Sequence, residues 1–145
     1  MTDGREITSS RVFNAPRELA WRAWTEPEHL SRWWGPKGFT NTFHEFEPKP
    51  GGTWRFTMHG PDGADYHNQS VFIELAKPER IVFDHLMPMH RFRATAGFSD
   101  VTGKTKIIYT MRFESVEECD RVKVFVVQGN EQNFDRLEAE LEGMK

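Results

Sequence analysis

Trp33-Trp34-Gly35-Pro36, followed by Pro50-Gly51-Gly52-Thr53-Trp54 and Gly60-Pro61-Asp62-Gly63, decides the reading of this chain. Two of the five tryptophans stand side by side before a Gly-Pro breaker. Large rings beside breakers suit aromatic side chains held at the wall or mouth of something concave. Tryptophan is rarely mere filler in a small domain, because a buried indole N–H needs a partner.

Upstream of this stretch the pattern is a strand, Ile7 to Asn14, running into two short helices. Asn14 reads as an N-cap and Pro16 as a first-turn residue. Leu19, Ala23 and Trp24 share a face of the first helix. Thr25-Glu26-Pro27-Glu28 has the spacing of a capping box, and the helix it opens carries Leu30 and Trp33 inward. Downstream the chain alternates as a meander of antiparallel strands. These are Asn41–Glu47, Thr53–His59, Tyr66–Ala76, Arg80–Leu86, Phe92–Ser99 and Lys104–Glu114, separated by Pro- and Gly-rich turns. Trp54, Phe56 and Met58 alternate with polar residues, as do Ile107, Tyr109, Met111 and Phe113, so one face is dry and one wet. The end of the chain reads as a helix. Ser115 and Glu118 form another capping-box spacing, and Val122, Val126, Phe134, Leu137 and Leu141 fall on one face beside Asn130. The β-branched run Val122–Val127 favours a strand, but the good helix-forming segment Asn130–Glu142 decides for helix. Gly129 is expected to mark a kink or a close contact.

At 145 residues the chain fits one domain with a real core, residues 1–145. Its formal net charge of -3 is spread along the sequence, which disfavours nucleic acid or an anionic membrane as the main partner. A single cysteine, Cys119, permits neither an intramolecular disulfide nor a cysteine-based metal site. The expected location is the cytoplasm, with no signal peptide and no membrane insertion. The six histidines are scattered without close metal spacing, so neither a metal nor a cofactor is expected.

Several motifs together resemble one family. They are Asn14-Ala15-Pro16, Trp21, Thr25-Glu26-Pro27-Glu28-His29-Leu30, Trp33-Trp34-Gly35-Pro36 and Pro50-Gly51-Gly52-Thr53-Trp54. Met58, Gly60-Pro61-Asp62-Gly63, Pro78-Glu79-Arg80-Ile81-Val82-Phe83 and Gly129-Asn130 before Leu137 extend the match over nearly the whole chain. The pattern resembles the activator of heat-shock-protein-90 ATPase homologue-like family, in the START-related, Bet v-like (SRPBCC) superfamily. The resemblance implies an α+β helix-grip fold. A curved antiparallel sheet of about six to seven strands wraps a long C-terminal helix, two short helices follow the first strand, and an apolar cavity lies between. Ser70 stands where family members often carry glycine, and the valine-rich approach to Gly129 is bulkier than usual; both imply a narrower cavity.

A register follows from the alternation. If Trp54, Phe56 and Met58 point inward, Val71, Gln69 and His67 are their partners across the hairpin. Ile81, Phe83 and His85 then face the cavity from the next strand, and His59 falls on the face opposite His67. The expected ligand wall is Trp34, Trp54, Phe56, Met58, Val71 and Phe83, continued by Phe92, Tyr109, Met111, Val126 and Phe134. His67, Gln69, His85 and Asn130 would orient the ligand. Plain core packing competes for each aromatic position.

Three function classes remain. The leading one is non-catalytic binding of a small hydrophobic or amphipathic molecule. The family name alone suggests a co-chaperone module stimulating heat-shock protein 90, although full eukaryotic activators carry a further N-terminal domain for which this chain has no room. The third is a cyclase- or dehydratase-like enzyme using His44, His67 or His85 as acid or base. No nucleophile elbow or phosphate loop is present, so no catalytic residue is assigned. A homodimer through exposed sheet edges is compatible with the pattern.

Overall fold

The computed structural model describes residues 4–88 and 90–145. Its elements are β1 (Glu6–Phe13), α1 (Arg17–Thr25), α2 (Pro27–Trp33), β2 (Thr40–Phe46), β3 (Thr53–His59), β4 (Asp65–Ala76), β5 (Arg80–Met87), β6 (Phe92–Val101), β7 (Lys104–Phe113) and α3 (Val116–Gly143). The strands form one curved antiparallel sheet in the order β1-β7-β6-β5-β4-β3-β2. Helix α3 lies across β1 and β7 and meets α1 and α2 at its C-terminal half. This is the helix-grip arrangement.

Period-two alternation builds the dry face. On β7, Ile107, Tyr109, Met111 and Phe113 are buried, and on β6 so are Ala94, Ala96 and Phe98. Helix α3 starts as its cap spacing predicts: Ser115 Oγ accepts from the Glu118 N–H at 3.1 Å. The β-branched run Val122–Val127 is helical, because Asn130 to Leu141 extends the same helix and its apolar face closes the core. Gly129 lies inside one uninterrupted helix; a Cβ there would meet nothing nearer than Pro36 Cγ at 4.0 Å.

Two helix starts differ from expectation. Pro16, not Asn14, is the N-cap of α1, and Glu26 rather than Thr25 is that of α2; neither cap residue makes a side-chain bond. Thr25 Oγ1 donates instead to the Trp21 carbonyl one turn back, at 2.7 Å. That local bond removes the hydroxyl from capping duty. Leu30 and Trp33 do face the core, each 1 % exposed.

The β3–β4 register differs by one residue from the expected one. Trp54 lies opposite Ser70, Phe56 opposite Asn68 and Met58 opposite Tyr66. Asn68, Ser70 and Phe72 therefore point inward, while His67, Gln69 and Val71 lie on the outer face. The cause is a β-bulge between Phe72 and Glu74, after which Leu75 pairs with Ile81 on the inner side. One extra residue inverts every side chain before it relative to those after it. The apolar alternation Val71-Ile73-Leu75 runs straight through the bulge and so misreports the face.

The Trp33–Pro36 turn is fixed mainly by α3. Arg136 donates from Nη1 to the carbonyls of Trp34, Gly35 and Pro36 at 3.1, 2.9 and 3.0 Å, and from Nη2 to that of Arg32 at 2.7 Å. These acceptors include the orphan carbonyls at the end of α2. Asn133 Oδ1 accepts from the Gly35 N–H and Gln132 Oε1 from the Lys37 N–H, both at 3.1 Å. Asn41 Nδ2 donates to the Ser31 and Trp34 carbonyls at 3.0 and 2.8 Å. Gly35 has φ +101°, which disfavours any side chain there.

Replacing Arg136 by Met is expected to lower the unfolding free energy by about 2 kcal/mol, because several carbonyls lose a charged donor. Arg136→Lys should recover less than half, since an ammonium is not a planar fork. Urea denaturation measures both. Gly129→Ala should stabilise α3 by up to about 1 kcal/mol in the same assay, because the added methyl meets open space.

Candidate ligand-binding cavity

Between α3 and the β4–β7 part of the sheet lies an apolar hollow in two adjoining lobes. The inner lobe, about 380 Å³, runs from Trp34 and Tyr109 to Val122 and Asn130. The outer lobe, about 270 Å³, extends towards Tyr66, Asn68, His85 and Pro88. Pro36, Met58, His90, Phe92, Met111 and Val126 line both, so the two spaces are continuous. Each lobe is near the lower end of the size usual for small-molecule sites.

Its boundary on the β2–β3 side is an aromatic block. Trp54 stacks on Phe56 at 4.8 Å and lies nearly parallel to Phe72 at 5.9 Å. Phe43, Phe46 and Phe83 pack round the same indole. Trp34 leans on this block, with its ring 5.0 Å from Trp54 and 6.0 Å from Phe83, and turns another face to the inner lobe. Trp33 donates its Nε1–H to the Ala23 carbonyl at 2.8 Å, whereas the buried Nε1 of Trp24 and of Trp54 has no partner among the described residues.

Few polar groups reach the hollow. Tyr109 is only 4 % exposed, and its hydroxyl has no hydrogen-bond partner among the described residues. Burial pushes the phenol well above its ordinary pKa, so it stays protonated. Asn130, 8 % exposed, donates through Nδ2 to Ser9 Oγ at 3.2 Å and to Met111 Sδ at 3.6 Å, leaving its Oδ1 without a protein donor. Asn68 donates to its own strand at the Tyr66 carbonyl, 3.1 Å away. His85 stacks on Phe92 at 4.7 Å and donates Nε2–H to the Pro88 carbonyl at 3.2 Å. Burial pushes its pKa down, which keeps it neutral at pH 7. At the mouth, His90 Nδ1 contacts the Glu118 carboxylate and ties the β5–β6 connection to the first turn of α3.

Of the residues expected to form the wall, Trp34, Met58, His85, Phe92, Tyr109, Met111, Val126 and Asn130 line the hollow. Trp54, Phe56, Phe83 and Phe134 are sealed in the core instead, each 2 % exposed. His67, Gln69 and Val71 sit on the outer face because of the bulge. His59 lies there too, on the same face as His67 and not opposite it. Thr57 Oγ1 shares hydrogen bonds with His44 Nε2 and His67 Nδ1, and His59 with Thr42 and Asp65. Of the histidines considered for acid–base work, only His85 borders the cavity.

Sequence reasoning missed Pro36, His90, Asn133 and Phe125. Phe125 is 77 % exposed at the inner lobe's rim. Its signal was present, since Val122–Val127 holds more apolar residues than one helical face can bury. Glu26, Glu28 and His29 bring ligand-type atoms within 4.8 Å of one another. Two of the three are already engaged: His29 Nδ1 is 2.7 Å from Glu140, and Glu26 is 3.1 Å from Arg22.

A family model described as activator of Hsp90 ATPase homolog 1-like protein matches residues 14–142. The chain belongs to this family. No curated protein matches it. Solved structures of similar fold include protein NE0264 from Nitrosomonas europaea, with TM-score 0.90 and 20 % identity over 100 % of this chain and 99 % of that one. A protein from Arthrobacter aurescens gives 0.90 and 24 % over 99 % and 90 % of the two chains. One from Rhodobacter sphaeroides gives 0.88 and 24 % over 99 % and 95 %. At these identities the likeness establishes the shared fold of this activator-like domain. Among the described residues no helix is long and apolar enough to cross a membrane.

The depressed pKa of His85 has a signed consequence. Below about pH 6.5 the unfolded chain protonates this imidazole while the folded chain resists. Stability should therefore fall as pH drops from 7 to 5. His85→Gln should flatten that part of the profile, read from urea midpoints at each pH.

Proposed function

We propose that the hollow between sheet and α3 binds a small, largely apolar molecule bearing a hydroxyl or carbonyl group, and does so without catalysis. The observation supporting this is Tyr109. Its hydroxyl makes no hydrogen bond to a described residue and, unlike the sealed indole N–H groups of Trp24 and Trp54, opens onto the hollow. Asn130 Oδ1 adds an unused acceptor on the same wall. A bound hydroxyl or carbonyl would satisfy one or both, and the Trp34, Met58, Phe92, Met111 and Val126 side chains would cover its apolar body.

Tyr109→Phe separates this reading from ordinary core packing. The hydroxyl has no protein partner, so unfolding free energy should change by less than about 0.5 kcal/mol. Affinity for a responding ligand should drop by about 1 kcal/mol. Calorimetric titration with long-chain alcohols, sterols and polycyclic phenols provides the measurement. A responding ligand present at a hundredfold excess over its dissociation constant should stabilise the protein by about 2.7 kcal/mol. The reading fails if no compound in these classes binds.

The family description favours a second reading, a module that docks on heat-shock protein 90 and stimulates its ATPase. Val124, Phe125 and Val127, exposed on α3, would be part of such a contact face. A pull-down with the chaperone's middle domain and an ATPase assay test it. Neither binding nor stimulation would remove it.

A further inference from the structure

We infer that the ligand is polar at both ends: an apolar rod whose outer end carries a hydrogen-bond donor such as a hydroxyl, received by Asn68. This rests on the cavity reading above and adds a second polar group, its hydrogen-bonding sense and its place. Tyr109 and Asn130, the polar groups already assigned to the ligand, belong to the inner lobe. Asn68 lines the outer one. It is 6 % exposed and shares the inward face of β4 with Ser70 and Phe72. Its one hydrogen bond fixes which way the amide is turned. The partner, the Tyr66 carbonyl at 3.1 Å, can only accept, so the nitrogen faces the strand. Oδ1 is left without a donor among the described residues, and unlike the indole nitrogens of Trp24 and Trp54 it is not sealed in.

His85 gives this end of the hollow the same sense. It lines the outer lobe and pairs with Ser70, two residues along β4 from Asn68. Its Nε2 faces the Pro88 carbonyl, again a group that only accepts, so the ring proton sits on Nε2. Burial keeps the ring neutral, and Nδ1 then carries a lone pair and no proton. The outer lobe therefore presents acceptors to its occupant, whereas Tyr109 gives the inner lobe a donor. A carbonyl or carboxylate at the outer end would meet lone pairs; a hydroxyl would donate to them. Tyr109 stands on β7 and Asn68 on β4, three strand spacings apart in the order β7-β6-β5-β4, or about 14 Å across the sheet. The two lobes are continuous, so one extended molecule reaches both ends.

The test compares three series of equal chain length, from about eight to fourteen carbons so as to bracket that span. They are alkanols, alkanediols with a hydroxyl at each end, and diketones, which offer acceptors alone. Binding to the full chain is followed by titration calorimetry. At the best length the diol should bind about fivefold more tightly than the alkanol, and the diketone about fivefold more weakly than the diol. A merely apolar lobe gives the opposite order, alkanol above diol, because the second hydroxyl loses its water without a replacement. Asn68→Leu should abolish the diol's advantage. An alkanol or diketone that matches the diol, or a folded Asn68→Leu protein that keeps the advantage, overturns the two-ended assignment and leaves the cavity reading standing. Should that variant not fold, the three series on the unaltered chain decide alone. Failure of all three series, together with the sterols and phenols, overturns the cavity reading itself.

Discussion

One guanidinium ties α3 to the turn that carries two wall residues of the hollow. Arg136 projects from α3 onto the carbonyls that end α2 and form the Trp34-Gly35-Pro36 turn. Without a donor there, a helix end and a tight turn would expose acceptors beside an apolar core. Burial lowers the pKa of Arg136, but an arginine stays charged even so. The clamp sets the position of Trp34 and Pro36, which in turn define one wall of the hollow.

The space under the sheet is divided between packing and vacancy. On the β2–β5 side, six aromatic rings fill the concavity around Trp54, and dispersion between them makes that end solid. On the β6–β7 side the inward residues include Ala94 and Ala96, with 0 % exposure. Phe83 pairs with Ala94 and Tyr109 with Ala96 across the ladder, and the indole of Trp34 sits near both aromatic partners. Small side chains under one indole leave the neighbouring volume to methionines and valines. Met58, Met111 and Val126 border it, and the methionines adapt easily to different shapes.

Charge is arranged outside that hollow. Arg11 bridges Glu131 and Asp135 of α3 at 3.0 and 2.8 Å, and His29 joins α2 to Glu140. The acidic partners of Arg11 are exposed, so those pairs contribute modestly, whereas His29 and Glu140 are largely buried; together they orient α3 along β1 and α2. At the wall, burial keeps the His85 imidazole neutral and the Tyr109 phenol protonated, while His90 and Tyr66 also line the hollow. The wall therefore discriminates by shape and hydrogen bonding, and any charged recognition falls to the rim.

Local signals along the chain are enough to specify the order and type of its elements. Alternation fixed β3, β6 and β7, breakers fixed the turns, and the Ser115 cap with the apolar stripe fixed α3, because these signals are local and periodic. They also placed Met111, Tyr109, Val126 and Asn130 on facing surfaces. Which aromatics fill the core and which border the space emerges only from packing, since that depends on how far α3 stands from each strand. Only the structure revealed the bulge after Phe72, which turned His67, Gln69 and Val71 outward. A bulge is a property of paired strands, and nothing in a single strand's alternation records it. The Arg136 clamp was equally hidden: its acceptors are backbone carbonyls about a hundred residues away in sequence, and a carbonyl has no letter in the sequence.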